Sequence, residues 1–140
     1  MIVMSSVMPV PYPAGRRFHP PIASATMGGV DEECCEVVVT GPDAEWLAGF
    51  TRTLVEERLA ACGHVQGAVR SIYRWDGAVQ DEAEARVGLH TRRSLVPAIV
   101  ARTRELHPYD VPCVIELPIA GGNPAYLQWV VDETRAPDAD

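Results

Sequence analysis

Lysine is absent from the sequence, so its 12 basic residues are all arginines, set against 19 acidic residues. The net charge is -7, and no stretch gathers the arginines into a basic stripe. Nucleic acids and anionic membranes attract proteins mainly through such positive charge. Neither is therefore expected as a partner, and no apolar run is long enough to span a bilayer.

Short catalytic and metal-binding motifs are also missing. The sequence contains no G-x-S-x-G motif, no phosphate loop and no dinucleotide fingerprint, so nothing in it predicts an enzyme. Its 4 cysteines form no C-x-x-C pair, which argues against a zinc ribbon. We interpret them as small, buried, reduced thiols of a cytosolic protein. They are Cys34, Cys35, Cys62 and Cys113.

Periodic patterning is missing from the N-terminus, where proline and glycine are frequent. Residues 1–32 are predicted to form a disordered extension. Prolines break the apolar stretch there and the arginines come late, which is unlike a secretion signal. We expect a cytoplasmic protein with one domain at residues 33–135 and a tail at 136–140. The sequence leaves open whether Met27 is the true start.

The remaining chain alternates between strand and helix patterns. The first helix is predicted to open at Thr40, a candidate N-cap, and to stop at Gly63. The order βαββαβ with an added C-terminal helix is typical of an α+β, ferredoxin-like fold. In that fold two helices cover one face of a four-stranded antiparallel sheet and leave the other face uncovered. The predicted bounds are 36–40, 40–61, a hairpin over 65–91, 91–107, 113–117 and 125–134.

The hairpin carries the strongest turn signal, Asp76-Gly77, because both positions favour positive φ. Simple pairing across this turn places Tyr73 and Trp75 on the polar face of the second strand. Either a β-bulge resets the register or the tip is apolar on both faces. An exposed tip and an uncovered sheet face together predict a homo-oligomer.

A corner at His107–Pro112 joins the second helix to the last strand. Pro108 ends the helix and leaves His107 at the negative end of the helix dipole. The imidazole is either a structural cap or a metal ligand, and both interpretations stay open. His90 and Cys113 are candidate partners of His107 in such a site.

Three other groups of side chains each have a functional and a purely structural interpretation. Tyr73 and Trp75 either line a cleft between subunits or act as packing anchors. Cys62 and His64 share one side of an extended segment, but as a nucleophile–base pair they lack an orienting group. Glu82 and Glu84 of the hairpin share a strand face, as paired catalytic carboxylates would need, but a charged outer face gives the same pattern.

Four motifs recur together in a known family. They are Glu57–Cys62, Ser71–Gly77, His107–Pro112 and Leu117–Ile119, and with them the chain resembles the CutA divalent-cation-tolerance family from about residue 37 to 134. The resemblance implies a homotrimer of ferredoxin-like protomers. It also implies binding or buffering of copper or another divalent metal ion, with copper as the expected metal.

Several positions depart from the family pattern. The resemblance implies copper ligands at a cysteine late in the first strand and at two histidines before the corner. Here these positions hold Val39 and Leu106-His107, so His107 is the metal ligand that the resemblance carries over. Cys113 replaces a usual glutamate, and His90 replaces a common lysine.

Two alternative functions remain. The first is a small-molecule-sensing regulatory trimer whose ligands lie in clefts between subunits, lined here by Tyr73, Trp75, His90 and Cys113. The second is an RNA-binding module, which would need basic residues beside exposed aromatics and is disfavoured by the acidic charge.

Overall fold

The computed structural model describes residues 32–137. The predicted disordered extension, except for Glu32, and the last three residues lie outside that range. A short 3₁₀ turn, Arg93–Leu95, precedes the second helix. The elements in order are β1 (Cys34–Gly41), α1 (Ala44–Glu56), β2 (Cys62–Trp75), β3 (Ala78–Arg92), α2 (Val96–Leu106), β4 (Val114–Pro118) and α3 (Pro124–Glu133).

The four strands form one antiparallel sheet in the order β2-β3-β1-β4. This order and the two crossing helices confirm the predicted α+β, ferredoxin-like arrangement with a C-terminal helix. Alternate residues of β1 and β3 point at α1 and α2 and build the main core. Its fully buried members include Val37, Val39, Leu47, Leu54, Val87, Leu89 and Ile99. Among residues 32–137, no helix combines the length and apolar character that crossing a membrane requires.

The ends of α1 differ from the prediction. Asp43, not Thr40, caps the helix, because its carboxylate accepts a hydrogen bond of 2.7 Å from the Trp46 backbone N–H. The helix ends at Glu56 rather than near residue 61, since Arg58 adopts a left-handed φ of 59°. The Arg58 guanidinium donates to the Glu133 and Asp132 carbonyls at the far end of α3. The turn that ends the helix is thus accompanied by a hydrogen bond from Arg58 to Asp132, which lies 74 residues farther along the chain.

Gly63 was expected to stop α1, and that prediction is wrong. It lies inside β2 and faces the core beneath α1. A Cβ there would lie 2.5 Å from Cγ2 of Thr51 and 2.9 Å from Cδ2 of Leu89. The missing side chain therefore lets α1 pack closely on the strand, and its two neighbours in β2 point to the opposite face.

The hairpin turn is confirmed, with Asp76 and Gly77 both at positive φ. The tip keeps the simple pairing, with Tyr73 opposite Gln80 and Trp75 opposite Ala78. The tip is consequently apolar on both faces, and its exposed residues are Ile72, Tyr73, Trp75 and Val79. A β-bulge does occur, but farther down β2 between Gln66 and Val69.

The second face of the sheet is partly covered, which corrects the expectation that it is bare. α3 lies on it and buries Val130 against Cys34 and Ala61. Asn123 caps the start of α3 by accepting from the Ala125 N–H. Beyond α3, Ile115 and Leu117 of β4 remain exposed. The open part of this face therefore lies beside α3, and the cluster of side chains described next lies there.

Candidate metal centre

Cys62, His64 and His90 form a cluster whose ligand atoms all lie within 4.8 Å of one another. Cys62 and His64 stand two residues apart on β2, so they share one face of the strand. His90 lies directly opposite Cys62 on β3. The two imidazole rings are 5.1 Å apart between centroids. A cysteine sulfur and two imidazoles are a donor set for copper or zinc.

His90 is oriented by two neighbours. Its Nε2 lies 3.1 Å from Oε1 of Glu36, the residue opposite it on β1. Because a carboxylate can only accept, Nε2 carries the proton in the neutral ring and Nδ1 keeps its lone pair. Nδ1 lies 2.5 Å from the hydroxyl of Tyr126, which donates to it. A histidine held by a carboxylate through one nitrogen is the usual arrangement for metal binding through the other.

The space for Glu36 comes from Gly88. A Cβ at Gly88 would lie 2.5 Å from Oε1 of Glu36, so the glycine makes room for the carboxylate that holds His90. The recess around this pair has a volume of about 220 Å³. It is lined by Glu36, His64, Gln66, Arg86, Gly88 and His90.

Cys62 is partly buried, as His90 is, whereas His64 is exposed. Burial raises the pKa of its thiol, although the hydrogen bond with Tyr126 opposes the rise. Its Sγ lies 3.3 Å from the Tyr126 hydroxyl. All four cysteines are free, and burial raises the pKa of Cys35 to about 12. Cys113 is exposed, contrary to the expectation of buried thiols.

His107 lies elsewhere, at the end of α2, and is buried. Its Nε2–H donates to the Thr40 carbonyl at 2.8 Å, and its Nδ1 accepts from the Tyr109 N–H at 3.1 Å. The ring packs edge-on against Trp46 at 4.7 Å between centroids. Metal binding by His107 stays a prediction, and it would first require breaking one of these hydrogen bonds.

Tyr73, Trp75 and Cys113 lie together, whereas His90 lies elsewhere, in the cluster with Cys62 and His64. The first three line a cavity of about 600 Å³ between the hairpin and the corner. Tyr109 also lines it and donates a hydrogen bond of 3.1 Å to Glu84. Burial, and then that carboxylate, raise the pKa of Tyr109 to about 12. A location of this cavity between subunits remains a prediction.

The sequence analysis grouped these residues differently from the structure. It paired Cys62 with His64 as a weak nucleophile–base candidate, and it assigned His90 to the corner. The signal that was available is the pattern Cys-x-His on one hairpin strand with a histidine on the other. Tyr126 was missed, because nothing in a short amphipathic helix marks which residue meets the sheet.

Comparisons with known proteins agree on one family. The family model described as CutA1 divalent ion tolerance protein matches residues 35–133. The divalent-cation tolerance protein CutA of Thermus thermophilus is 41% identical over 98 residues, covering 70% of this chain and 95% of the relative. Protein CutA of Mus musculus is 39% identical over 118 residues, covering 84% of this chain, and the match spans only 66% of the mouse protein.

Solved structures give the same result. The crystal structure of CutA1 from Oryza sativa superposes with a TM-score of 0.72 at 40% identity, covering 74% of this chain and 94% of that one. The Thermus thermophilus protein superposes with a TM-score of 0.71 at 39% identity, covering 73% of this chain and 99% of that one.

Proposed function

The chain belongs to the CutA1 divalent ion tolerance family, and from that premise we propose that it binds or buffers a divalent transition metal through Cys62, His64 and His90. Copper is the proposed metal, and the role is that of a non-enzymatic, cytoplasmic metal-tolerance protein. Relatives carry the name divalent-cation tolerance protein, which supports the general role.

The observation that carries this proposal is the convergence of three donor atoms within 4.8 Å. Copper(II) heads the affinity order of divalent first-row metals for nitrogen and sulfur sites, and thiolate also suits copper(I). Three protein ligands leave a further coordination position. The carboxylate of Glu36 adds negative charge beside the cluster and fixes the ring of His90.

The ligand set is tested by replacing His64 with alanine. His64 is exposed, so its loss should leave folding unchanged and remove one imidazole from the site. We expect the Cu²⁺ affinity, measured by competition with a chromophoric chelator, to fall by at least about 10-fold, because losing a group that only orients a ligand already costs that much. The matched control is Gln80→Ala, which alters a polar residue of β3 at the hairpin tip. Equal Cu²⁺ affinity in the wild type, His64→Ala and Gln80→Ala would remove His64 from the site.

We also propose that the protein is a homotrimer. The support is exposed apolar surface at the hairpin tip and on β4, where Trp75 is 54%, Val79 63% and Ile115 50% exposed. Surface of this kind on a soluble protein usually marks an interface.

A second candidate function is sensing of a small molecule. It is favoured by the cavity of about 600 Å³, whose walls combine aromatic rings with the carboxylates of Glu82, Glu84 and Asp110.

Native mass spectrometry of freshly purified protein tests the assembly and this alternative together. We expect the mass of three chains, with metal adducts and no organic adduct. A stable monomer would contradict the trimer, whereas a bound organic molecule removed by substituting Tyr73 would favour sensing.

A further inference from the structure

The side chain that completes the metal centre comes from α3. Tyr126 lies in the first turn of that helix, and its hydroxyl oxygen approaches both Nδ1 of His90 and Sγ of Cys62. Its ring stands edge-on to His90, with centroids 5.7 Å apart. The phenol oxygen therefore lies next to two of the three proposed ligand atoms.

Resting on the proposed metal site, we infer that Tyr126 is its fourth ligand: a bound Zn²⁺ or Cu²⁺ takes the phenolate oxygen of Tyr126 together with Cys62, His64 and His90. Without metal, the same hydroxyl holds Nδ1 of His90 by a hydrogen bond and closes the site from the α3 side.

The hydrogen-bond pattern of His90 supports this assignment. Glu36 accepts a hydrogen bond from Nε2–H, so the lone pair available to a metal is on Nδ1, where Tyr126 donates. A metal that binds Nδ1 must replace the Tyr126 proton. When the metal enters, that proton and the Cys62 thiol proton leave to solvent, and each anion gives an electron pair to the metal. One thiolate and one phenolate then balance the charge of a divalent ion.

The distances also fit a shared ion. Ligands bound at 2.0–2.3 Å to one tetrahedral ion lie roughly 3.3–3.8 Å from each other. The Tyr126 oxygen is 3.3 Å from Sγ of Cys62, which already matches that spacing. Its separation from Nδ1 of His90 is 2.5 Å, so the two atoms must part by about 1 Å to admit the metal.

Two arginines hold α3 in this place. Arg92 donates to the Val131 carbonyl and to both the carbonyl and the hydroxyl of Thr134. Arg58 donates to the carbonyls of Asp132 and Glu133. The C-terminal end of the helix is thus tied to β3 and to the loop before β2. A ligand from the first turn would tie the other end, so metal binding joins α3 to the sheet at both ends.

Metal affinity alone would not separate a ligand from a hydrogen-bond partner. Loss of a group that only orients a metal-binding histidine already costs about 10- to 100-fold in affinity. The decisive readout is the ionisation of the phenol, because a coordinated tyrosine absorbs as phenolate and a hydrogen-bonded one absorbs as phenol.

The test is an ultraviolet difference titration of the full chain with Zn²⁺, which has no absorption of its own. We expect one phenolate signal per bound Zn²⁺ in the wild type and none in Tyr126→Phe. Gln128→Ala, which changes the same helix but none of the four donors, should keep the signal.

The outcomes separate the two proposals. Zinc binding is measured by equilibrium dialysis. If it depends on Cys62 and His90 but produces no phenolate signal, the role of Tyr126 is overturned and the three-residue site remains. A phenolate signal that persists in Tyr126→Phe would show that a different tyrosine ionises, and it would also overturn the role of Tyr126. Failure of the wild type to bind Zn²⁺ or Cu²⁺ would overturn the proposed function and this inference together.

Discussion

Replacing His90 with alanine is expected to lower the Cu²⁺ or Zn²⁺ affinity by about 100-fold or more, the largest loss of any single imidazole. His90 is opposite Cys62 in the sheet, is held by Glu36 and contacts Tyr126. Its removal takes away one ligand and leaves the other two side chains without their common neighbour. Competition titration against a chelator of known affinity measures the change.

The matched control for His90→Ala is again Gln80→Ala, on the same strand at the hairpin tip. Circular dichroism should show the same fold in both variants, because His90 is only partly buried and lies outside the main core. An unchanged metal affinity in His90→Ala would contradict the assignment of this cluster as the metal centre.

The second large effect is expected at His107, and it is an effect on stability. His107→Ala should lower the free energy of unfolding by about 2–4 kcal/mol, since it removes two hydrogen bonds at a partly buried corner together with an aromatic contact. The groups that lose their partner are the Thr40 carbonyl and the Tyr109 N–H, and the lost ring contact is with Trp46. Urea unfolding of wild type and variant measures the difference.

The same variant decides between the two interpretations of the corner. We expect His107→Ala to bind as many Cu²⁺ ions per chain as the wild type, because both ring nitrogens of His107 are hydrogen-bonded within the fold. Arg104→Ala, an exposed change in the last turn of α2, serves as the control and should alter neither property. A lost copper ion without lost stability would show instead that His107 is a ligand.

The strand and helix pattern of this protein could be predicted from the sequence because its local signals agree with its packing. Asp76-Gly77 is typical of a two-residue turn, and the strict alternation along β3 predicts that Val87 and Leu89 face the core, where both are buried. The end of α1 could not be predicted. The left-handed conformation of Arg58 goes with hydrogen bonds to α3, which lies 74 residues farther along the chain, and helix periodicity carries no information about such a contact.

The candidate metal centre depends on the β-bulge, which is why sequence reasoning did not find it. Simple pairing from the Asp76-Gly77 turn would place Cys62 opposite Thr91, whose side chain is buried. The irregularity between Gln66 and Val69 shifts the register by one residue, and Cys62 then lies opposite His90. A one-residue shift moves every side chain beyond it to the other face of the sheet. The sequence shows the Cys-x-His pattern, but the bulge determines that His90 is the residue of β3 opposite Cys62.

The position of α3 on the sheet also could not be predicted from the sequence. Its apolar stripe predicted a packed helix, but an amphipathic pattern does not say which face of a sheet the helix meets. The contacts of Arg58 and Arg92 with its C-terminal end fix that choice, and Tyr126 reaches the cluster as a result.

The central claim, metal binding by one sulfur and two imidazoles, is tested most directly by X-ray absorption at the zinc edge of the zinc-loaded protein. The account predicts a single sulfur neighbour at about 2.3 Å together with nitrogen and oxygen neighbours at about 2.0–2.2 Å. The sulfur should disappear in Cys62→Ala and persist in Cys113→Ala. A first shell of nitrogen and oxygen alone in the wild-type protein would contradict the claim.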